Sequence, residues 1–203
     1  RIDHFLGKEP VQNLYYFRFA NTFLEPIWSH EYIESVQITM AEDFGVRGRG
    51  KFYEEAGAIR DVVQNHLMQI VSFLAMERPR DSSVDAMFEE KIRLFTAIPA
   101  LTPAEVVRGQ FRGYRGEEGV APDSTVETFA AVRLTIDTPR WHGVPFFLRA
   151  GKNLPVTAVE VMIKLKGEPF LEPADHDREH RNYLRIRLSP ELLFAFGICV
   201  KVP

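Results

Sequence analysis

The first nine residues of the sequence gather groups that can bind an anion and move a proton. Asp3, His4 and Lys8 lie close together in the sequence, and Gly7 and Glu9 are the neighbours of Lys8. A helix that begins near residue 5 would bring His4 and Lys8 toward one face, because residues four apart are neighbours on a helix. Together they could hold a phosphate or a row of hydroxyl groups. The alternative is an ordinary helix start, with Asp3 as its N-cap and Lys8 in solvent.

A histidine stands inside the longest helical pattern of the chain, residues 52–77. Apolar residues recur there at spacings of three and four, which predicts a helix with one buried face that ends before Pro79. His66 lies in this stretch, and a partly buried imidazole paired with a carboxylate can act as a general base near neutral pH. The alternative is a histidine at the edge of the core whose ring bonds a backbone carbonyl.

Three further charged residues lie where predicted elements begin or end. Glu42 falls at the end of a strand, Asp61 near the start of the long helix, and Lys152 follows Gly151 after another strand. Carboxylates accept hydrogen bonds from sugar hydroxyls, and a cation beside a glycine can bind an anion or a hydroxyl. Taken singly, the more common alternatives are surface charge for the carboxylates and a turn with a solvated lysine.

The sequence carries no cofactor-binding fingerprint. Neither G-x-G-x-x-G after a first strand nor G-x-x-x-x-G-K-[ST] occurs. Gly48-Arg49-Gly50 lacks the full glycine spacing and is typical of a flexible loop before the long helix. His176 and His180 stand in an acidic, arginine-rich segment, where a solvated loop is favoured over a metal site. We therefore predict no metal site.

Helical patterns dominate the first half of the chain and strand patterns the second. Helices are predicted over residues 8–24, 52–77 and 83–95. Strands are predicted over residues 34–42, 129–136, 145–149, 159–165, 183–188 and 192–200. This order favours an α+β fold, with helices packed on one face of a large, mostly antiparallel sheet.

Composition and charge narrow the class of protein. The chain has 203 residues, 45% of them apolar, a formal net charge of −3 and a single cysteine, Cys199. One cysteine excludes an intrachain disulfide framework and fits a reducing compartment. The sequence shows neither a signal-peptide pattern, nor an apolar run near the roughly 18 residues of a membrane span, nor the basic patch of a nucleic-acid binder. We expect a cytoplasmic protein that binds neither nucleic acid nor membrane.

The same segments occur in an order that resembles one enzyme family along essentially the whole chain. The opening run, Arg1-Ile2-Asp3-His4-Phe5-Leu6-Gly7-Lys8-Glu9, is similar to the active-site signature of glucose-6-phosphate dehydrogenases. Further matching motifs are Arg18-Phe19-Ala20-Asn21, Ile27-Trp28, Gly48-Arg49-Gly50, Arg60-Asp61-Val62-Val63-Gln64-Asn65-His66-Leu67 and Gly143-Val144-Pro145-Phe146-Phe147-Leu148-Arg149-Ala150-Gly151-Lys152. The opening run and the Asn-His-Leu helix are specific in combination.

The resemblance implies oxidation of D-glucose 6-phosphate at C1 to 6-phospho-D-glucono-1,5-lactone, in the oxidative pentose phosphate pathway, with NADP or in some relatives NAD. It implies that His66 is the general base for the C1 hydroxyl proton, and that Asp3 pairs with it and stabilises the imidazolium. His4 would contact the phosphate, and Lys8 would reach the sugar and the phosphate. The residues implied to bind sugar hydroxyls are Glu42, Asp61 and Lys152.

Two positions depart from the family pattern at the phosphate end of the site. Relatives usually have tyrosine at Phe5, where the phenol helps to hold the phosphate, and a second basic residue at Thr157. Charge-assisted hydrogen bonds to anions are stronger than neutral ones. Both replacements therefore weaken the binding of the phosphate group. We therefore expect weaker discrimination between glucose 6-phosphate and unphosphorylated or differently phosphorylated sugars.

The family pattern also predicts the domain organisation. Residues 1–203 would form the substrate-binding and catalytic domain, incomplete at its C-terminal end, and a dinucleotide-binding domain that holds most of the NADP would precede Arg1. The chain alone would then be inactive, and the complete protein would form a homodimer or a larger assembly. Two alternatives stay open: a related glucose or hexose dehydrogenase with relaxed phosphate specificity, and a non-catalytic homologue used in assembly.

Overall fold

A computed structural model describes residues 9–167 and 182–200 of the chain. Several predictions concern residues outside these ranges and stay predictions. They are the predictions for Asp3, His4, Phe5, Lys8, His176 and His180.

The strands of the described residues form one open sheet. In chain order they are β1 (Ile33–Ala41), β2 (Val106–Gly109), β3 (Phe129–Leu134), β4 (Phe146–Gly151), β5 (Ala158–Leu165), β6 (Tyr183–Ser189) and β7 (Leu193–Gly197). They lie side by side in the order β2-β3-β4-β1-β5-β6-β7. Neighbouring strands are antiparallel except β1 and β4, which run parallel. The predicted α+β class with a mostly antiparallel sheet is confirmed.

The helices come mainly from the first half of the chain, as the periodicity predicts. They are α1 (Glu9–Ala20), α2 (Gly50–Ala58), α3 (Met68–Ala75) and α4 (Val84–Thr96), with a π-helical segment (Ile59–Leu67) between α2 and α3. Short 3₁₀ turns cover Thr22–Ile27, Pro103–Glu105 and Tyr114–Gly116. Among the described residues, no helix has the length and apolar character needed to cross a membrane.

Alternating burial along the central strands explains why the helices cover one face of the sheet. In β1 the side chains of Val36 and Ile38 are buried, whereas the intervening Gln37 is not. In β4, Leu148 is buried and Arg149 is exposed. Successive side chains of a strand point to opposite faces, so one face is apolar. α1 and the π-helical segment pack against the sheet on this side. Each fully buried large side chain contributes roughly 1.5–3 kcal/mol to folding.

The predicted single helix over residues 52–77 is wrong in its continuity, because the chain breaks at Gly57. This residue has φ 64° and ψ 176°, a conformation outside the helical region. A Cβ atom at Gly57 would lie 2.6 Å from Oε1 of Glu127, so the position has neither the backbone angle nor the space for a side chain. Beyond the break, the helix widens into the π-helical segment.

Other boundaries differ in smaller ways. The predicted helix over residues 8–24 ends at Ala20 and continues as a 3₁₀ turn, and the strand predicted over residues 192–200 ends at Gly197. The short edge strand β2 was not predicted, because four residues show too little alternation. The helix predicted over residues 83–95 is confirmed as α4, and the Ser83 hydroxyl caps it by accepting from the Ala86 N–H at 3.2 Å.

Candidate functional site

The central parallel strands bring together two residues that the sequence places far apart. Ala41 at the end of β1 pairs with Gly151 at the end of β4. Glu42 and Lys152 are the next residues, and Lys152 Nζ donates to Glu42 Oε2 at 2.5 Å. Their side chains are 21% and 11% exposed, respectively. The two groups predicted separately to bind hydroxyls therefore form one partly buried ion pair at a strand-end edge.

Backbone hydrogen bonds fix the two loops that leave these strands. The Glu42 N–H donates to the Gly151 carbonyl, and the Leu154 N–H donates to the Glu42 carbonyl, both at 3.0 Å. The Asn153 N–H donates to the Phe44 carbonyl at 3.0 Å. The ion pair therefore sits on backbone that is held from both sides, which limits the reorganisation needed to receive a ligand.

Two aromatic rings flank the ammonium group of the ion pair. Lys152 Nζ lies 5.1 Å from the ring centroid of Phe44 and 5.3 Å from that of Tyr53. A cation within about 6 Å of an aromatic ring is attracted by the ring quadrupole. The two rings and the Glu42 carboxylate together hold the Lys152 ammonium group in position.

Tyr53 is a buried phenol in unusual surroundings. The residue is 2% exposed, and its hydroxyl has no hydrogen-bond partner among the described residues. Burial raises the pKa of Tyr53 far above its usual range, and the negative charges of Asp61, Glu42 and Glu127 raise it further. The phenol is therefore neutral, and the carboxylates of Asp61 and Glu42 act on the same ring.

The π-helical segment carries the other two predicted site residues. In an α-helix, residues five apart lie about 140° apart around the axis. In a π-helix, residues i and i+5 are joined by a backbone hydrogen bond and lie closer together around the axis than in an α-helix, and such segments are frequent at functional sites. Asp61 and His66 have this spacing, and the segment packs on β1 and β4, whose ends carry the ion pair. His66 is 8% exposed.

The helical run with His66 is anchored at its beginning by Glu127. The Glu127 carbonyl accepts from the Ala58 N–H at 2.9 Å, and Oε1 of the same residue accepts from the Ile59 N–H at 3.0 Å. These are the first N–H groups after the Gly57 break, and a carboxylate also suits the positive end of a helix dipole.

Two tryptophans anchor the other end of the same run. The indole N–H of Trp28 donates to the Leu74 carbonyl, and that of Trp141 donates to the Ala75 carbonyl, each at 2.7 Å. Both carbonyls belong to the last turn of α3, where backbone acceptors lack partners within the helix. The helix that carries Asp61 and His66 is thus fixed at both ends by residues from distant parts of the chain.

Of the predicted site residues, the structure pairs Glu42 with Lys152 and places Asp61 and His66 on a helix packed against the same two strands. Phe44, Tyr53 and Glu127 were not predicted. Phe44 could have been found, because it follows Glu42 by two positions in a loop leaving a predicted strand. Tyr53 and Glu127 had no sequence signal, since both act through contacts with distant residues.

A cluster of metal ligands or a glycine-rich phosphate cradle could hold a cofactor in the described part of the site. Within the residues that the structure describes, no group of three or more His, Cys, Asp or Glu side chains could hold a metal ion. Gly48-Arg49-Gly50 joins β1 to α2, but a Cβ at Gly50 would lie 2.2 Å from the Glu118 carbonyl. Gly50 is therefore needed for packing against the protein's own backbone, and not to admit a phosphate.

Sequence comparisons with known proteins point to one family. Residues 15–203 match the family described as "Glucose-6-phosphate dehydrogenase, C-terminal domain". The chain is 48% identical over 192 residues to glucose-6-phosphate 1-dehydrogenase 1 of Mycobacterium tuberculosis, covering 94% of this chain and 41% of that protein. It is 42% identical over 203 residues to glucose-6-phosphate 1-dehydrogenase 6, cytoplasmic, of Arabidopsis thaliana, covering 100% and 39%.

Solved structures agree with the sequence comparison. A crystal structure of glucose-6-phosphate 1-dehydrogenase from Mycobacterium avium matches with a TM-score of 0.90 and 46% identity, over 100% of this chain and 46% of that one. A structure of a glucose-6-phosphate dehydrogenase in complex with its substrate glucose-6-phosphate matches with a TM-score of 0.89 and 38% identity, over 100% and 43%. The chain spans less than half the length of these relatives.

Proposed function

This chain belongs to the glucose-6-phosphate dehydrogenase family, and on that basis we propose that it forms the substrate-binding and catalytic part of an oxidoreductase that converts D-glucose 6-phosphate to 6-phospho-D-glucono-1,5-lactone. The observation that carries the proposal is the Glu42–Lys152 ion pair at the ends of two parallel strands, beside the helix that carries Asp61 and His66. One relative of known structure is a complex with glucose-6-phosphate as its substrate, which supports the choice of sugar.

We propose His66 as the general base. Hydride does not leave an alcohol carbon readily until the hydroxyl proton is being removed, so the reaction needs a base at the C1 hydroxyl. His66 is nearly buried on a helix fixed at both ends, which suits a group that must hold one orientation. In this proposal Asp3 pairs with the ring and stabilises the imidazolium that forms.

The ion pair has a different task in this proposal, which is to bind sugar hydroxyls. A carboxylate accepts hydrogen bonds and an ammonium donates them, so Glu42 and Lys152 together match hydroxyl groups that do both. Asp61, in the π-helical segment, supplies a second carboxylate for the sugar hydroxyls. His4 and Lys8 would contact the phosphate, and their charges would complement its negative charge.

The hydride acceptor that we propose is NADP, or alternatively NAD. A nicotinamide dinucleotide accepts the hydride from C1 when it is bound, and we propose that a dinucleotide-binding domain outside this chain holds most of it. The glycine-rich run Gly48-Arg49-Gly50 does not offer a cradle for its phosphates, because Gly50 is packed against the Glu118 carbonyl. Since the other domain would hold most of the hydride acceptor, we expect residues 1–203 alone to be inactive. We further propose a cytoplasmic enzyme of the pentose phosphate pathway that forms a homodimer or a larger assembly.

A second candidate function is a glucose or hexose dehydrogenase with relaxed phosphate specificity. The observation that favours it is at Thr157, where a second basic residue is usual. Here the Thr157 hydroxyl donates to Asp43 Oδ1 at 2.6 Å and accepts from the Asp43 N–H at 2.9 Å. The side chain thus fastens two loops together and presents no charge to a ligand.

The test of the leading proposal uses the complete protein. NADP reduction is followed by absorbance with glucose 6-phosphate, for the wild type and for His66→Asn. We expect turnover to fall by at least about 100-fold while substrate binding survives, because asparagine keeps the polarity of the side chain but cannot take the proton. His142→Asn, at an exposed position, is the matched control.

The same assay separates the alternatives. Undiminished turnover in His66→Asn would remove His66 as the base. A wild-type protein that binds glucose 6-phosphate but turns over no sugar, with either NADP or NAD, would support the non-catalytic homologue. Equal kcat/KM for glucose and glucose 6-phosphate would support the second candidate.

A further inference from the structure

An arginine occupies a strained turn position beside the ion pair. Arg47 has φ 50° and the following Gly48 has φ 75°, and the Arg49 N–H donates to the Val46 carbonyl at 3.0 Å. Two successive positive φ angles closed by this bond define a type I′ turn, which strongly favours glycine, asparagine or aspartate at its central positions. An arginine in the first central position is strained, and retained strain of this kind clusters at functional sites.

The turn places the guanidinium group of Arg47 over the ring of Phe44. Its central carbon lies 3.7 Å from the ring centroid, and Lys152 Nζ lies 5.1 Å from the same centroid. Two positive charges therefore share one aromatic ring. The attraction of the ring for each cation fixes their positions, although the cations repel one another.

The charges around these two cations are unequally compensated. Lys152 is paired with Glu42, and Asp43 is engaged by Thr157. Arg47 is exposed, and no carboxylate of the described residues forms an ion pair with it. Arg47 is therefore an exposed cation without an ion-pair partner among the described residues, and it shares a ring with Lys152 of the proposed hydroxyl-binding pair. A ligand with hydroxyls at one end and an anion at the other fits this arrangement.

We propose that Arg47 binds the phosphate group of the sugar phosphate and determines specificity for it. The inference rests on the proposed function and deepens it, because the guanidinium fork matches phosphate oxygens in two places. Arg47 would supply a positive charge that Thr157, bonded to Asp43 in the loop of Arg47, does not supply. The phosphate of a dinucleotide has the same chemistry, but the ring shared with Lys152 places Arg47 beside the sugar site.

The test compares Arg47→Asn, Arg47→Lys and wild type in the complete protein. Asparagine is favoured in the left-handed region, so the turn and the melting temperature should be kept or improved. We expect the KM for glucose 6-phosphate to rise about 10- to 100-fold in Arg47→Asn, with kcat within about twofold, and lysine to restore part of the loss. The kcat/KM for glucose and the KM for NADP should stay unchanged.

Arg49→Asn is the matched control, because it removes the same charge two residues along, at the N-cap of α2. An unchanged KM for glucose 6-phosphate in Arg47→Asn would overturn the inference. So would an equal loss with glucose, or a rise confined to the KM for NADP, which would assign Arg47 to the cofactor. If the wild type itself does not oxidise glucose 6-phosphate, the proposed function has failed. If the wild type is active and Arg47→Asn has the same KM for glucose 6-phosphate, only the role of Arg47 is rejected.

Discussion

Oε1 of Glu127 accepts a hydrogen bond from the Ile59 N–H at 3.0 Å and leaves no room for a side chain on Gly57. One carboxylate thus stabilises the start of the His66 helix and imposes the break before it. The two effects belong together, because the helix must begin anew after Gly57 and its first N–H groups need partners.

Gly57→Ala should destabilise the fold by about 2 kcal/mol, because alanine meets both the positive φ and the Glu127 oxygen. The measurement is the free energy of unfolding in urea. Adding Glu127→Ala to Gly57→Ala removes the steric clash, but it also removes the carboxylate that caps the helix. The losses of unfolding free energy in the two single variants should therefore not add in the double variant. Gly116→Ala, a position where a Cβ meets nothing within 4 Å, is the control. Strictly additive losses would contradict a direct contact.

Lys152→Met should affect both folding and substrate binding. It leaves the partly buried Glu42 without its partner, so we expect a loss of about 1–3 kcal/mol in unfolding free energy and a rise in the KM for the sugar phosphate. Adding Glu42→Gln should recover part of the stability without restoring the KM. Lys164→Met, on an exposed position of β5, should change neither. Recovery of the KM in the double variant would show that the pair serves stability alone.

The buried phenol of Tyr53 should make the fold sensitive to strongly alkaline pH. Its pKa is raised in the folded state by burial and by neighbouring carboxylates. The unfolded chain then loses its proton first, so stability is fully present below the ordinary tyrosine pKa of about 10 and falls as the pH rises above it. Tyr53→Phe should flatten this decline, measured by urea unfolding between neutral and alkaline pH.

The same substitution should leave activity almost unchanged at neutral pH. Phenylalanine keeps the ring beside Lys152 and removes a buried hydroxyl that lacks a partner among the described residues, so stability should stay equal or rise by about 1 kcal/mol. Tyr53→Leu removes the ring as well and should raise the KM for the sugar phosphate. A KM that is equally raised in both variants would assign the role to the hydroxyl.

Acid should weaken the fold through Glu25. This carboxylate contacts Arg18, whose side chain is fully buried, and Arg140 Nη2 at 2.8 Å. Partial burial opposes ionisation, but the hydrogen bonds and charges of Arg18 and Arg140 lower the pKa of Glu25 overall. A lowered pKa in the folded state gives stability that is present above the ordinary glutamate pKa of about 4.3 and is lost as the pH falls through the folded value.

Glu25→Gln should therefore flatten the acid limb of the stability profile. At neutral pH the substitution should lower the unfolding free energy by about 1–2 kcal/mol, because Arg18 remains buried without its anion. The loss stays small because solvent screens the exposed side of Glu25. Glu31→Gln, on a nearby exposed position, is the control. An acid limb as steep as that of the wild type would rule out Glu25 as its source.

The periodicity of the sequence predicted the fold class and most of the helices and strands. The helix over residues 83–95 and the strands over residues 129–136 and 159–165 needed only local patterns, which are read within one element. The break at Gly57 could not be predicted, because a glycine within a helical pattern is usually tolerated and the deciding carboxylate comes 70 residues later.

Some residues of the candidate site could be proposed from the sequence, but their pairings could not. Glu42 and Lys152 could be proposed one at a time, yet they are 110 positions apart. Their ion pair depends on the parallel alignment of β1 and β4, which needs a crossover that no local pattern specifies. The π-helical spacing of Asp61 and His66 likewise has no sequence signature, because an α-helical period describes the same apolar residues.

The anchoring of α3 by indole groups has an optical consequence. The chain contains two tryptophans, and both donate to carbonyls in the last turn of α3. Intrinsic fluorescence from the folded chain therefore originates at one place, the far end of the helix that carries His66. A change in emission during unfolding or ligand binding would report the release or strain of that helix end, with no label attached.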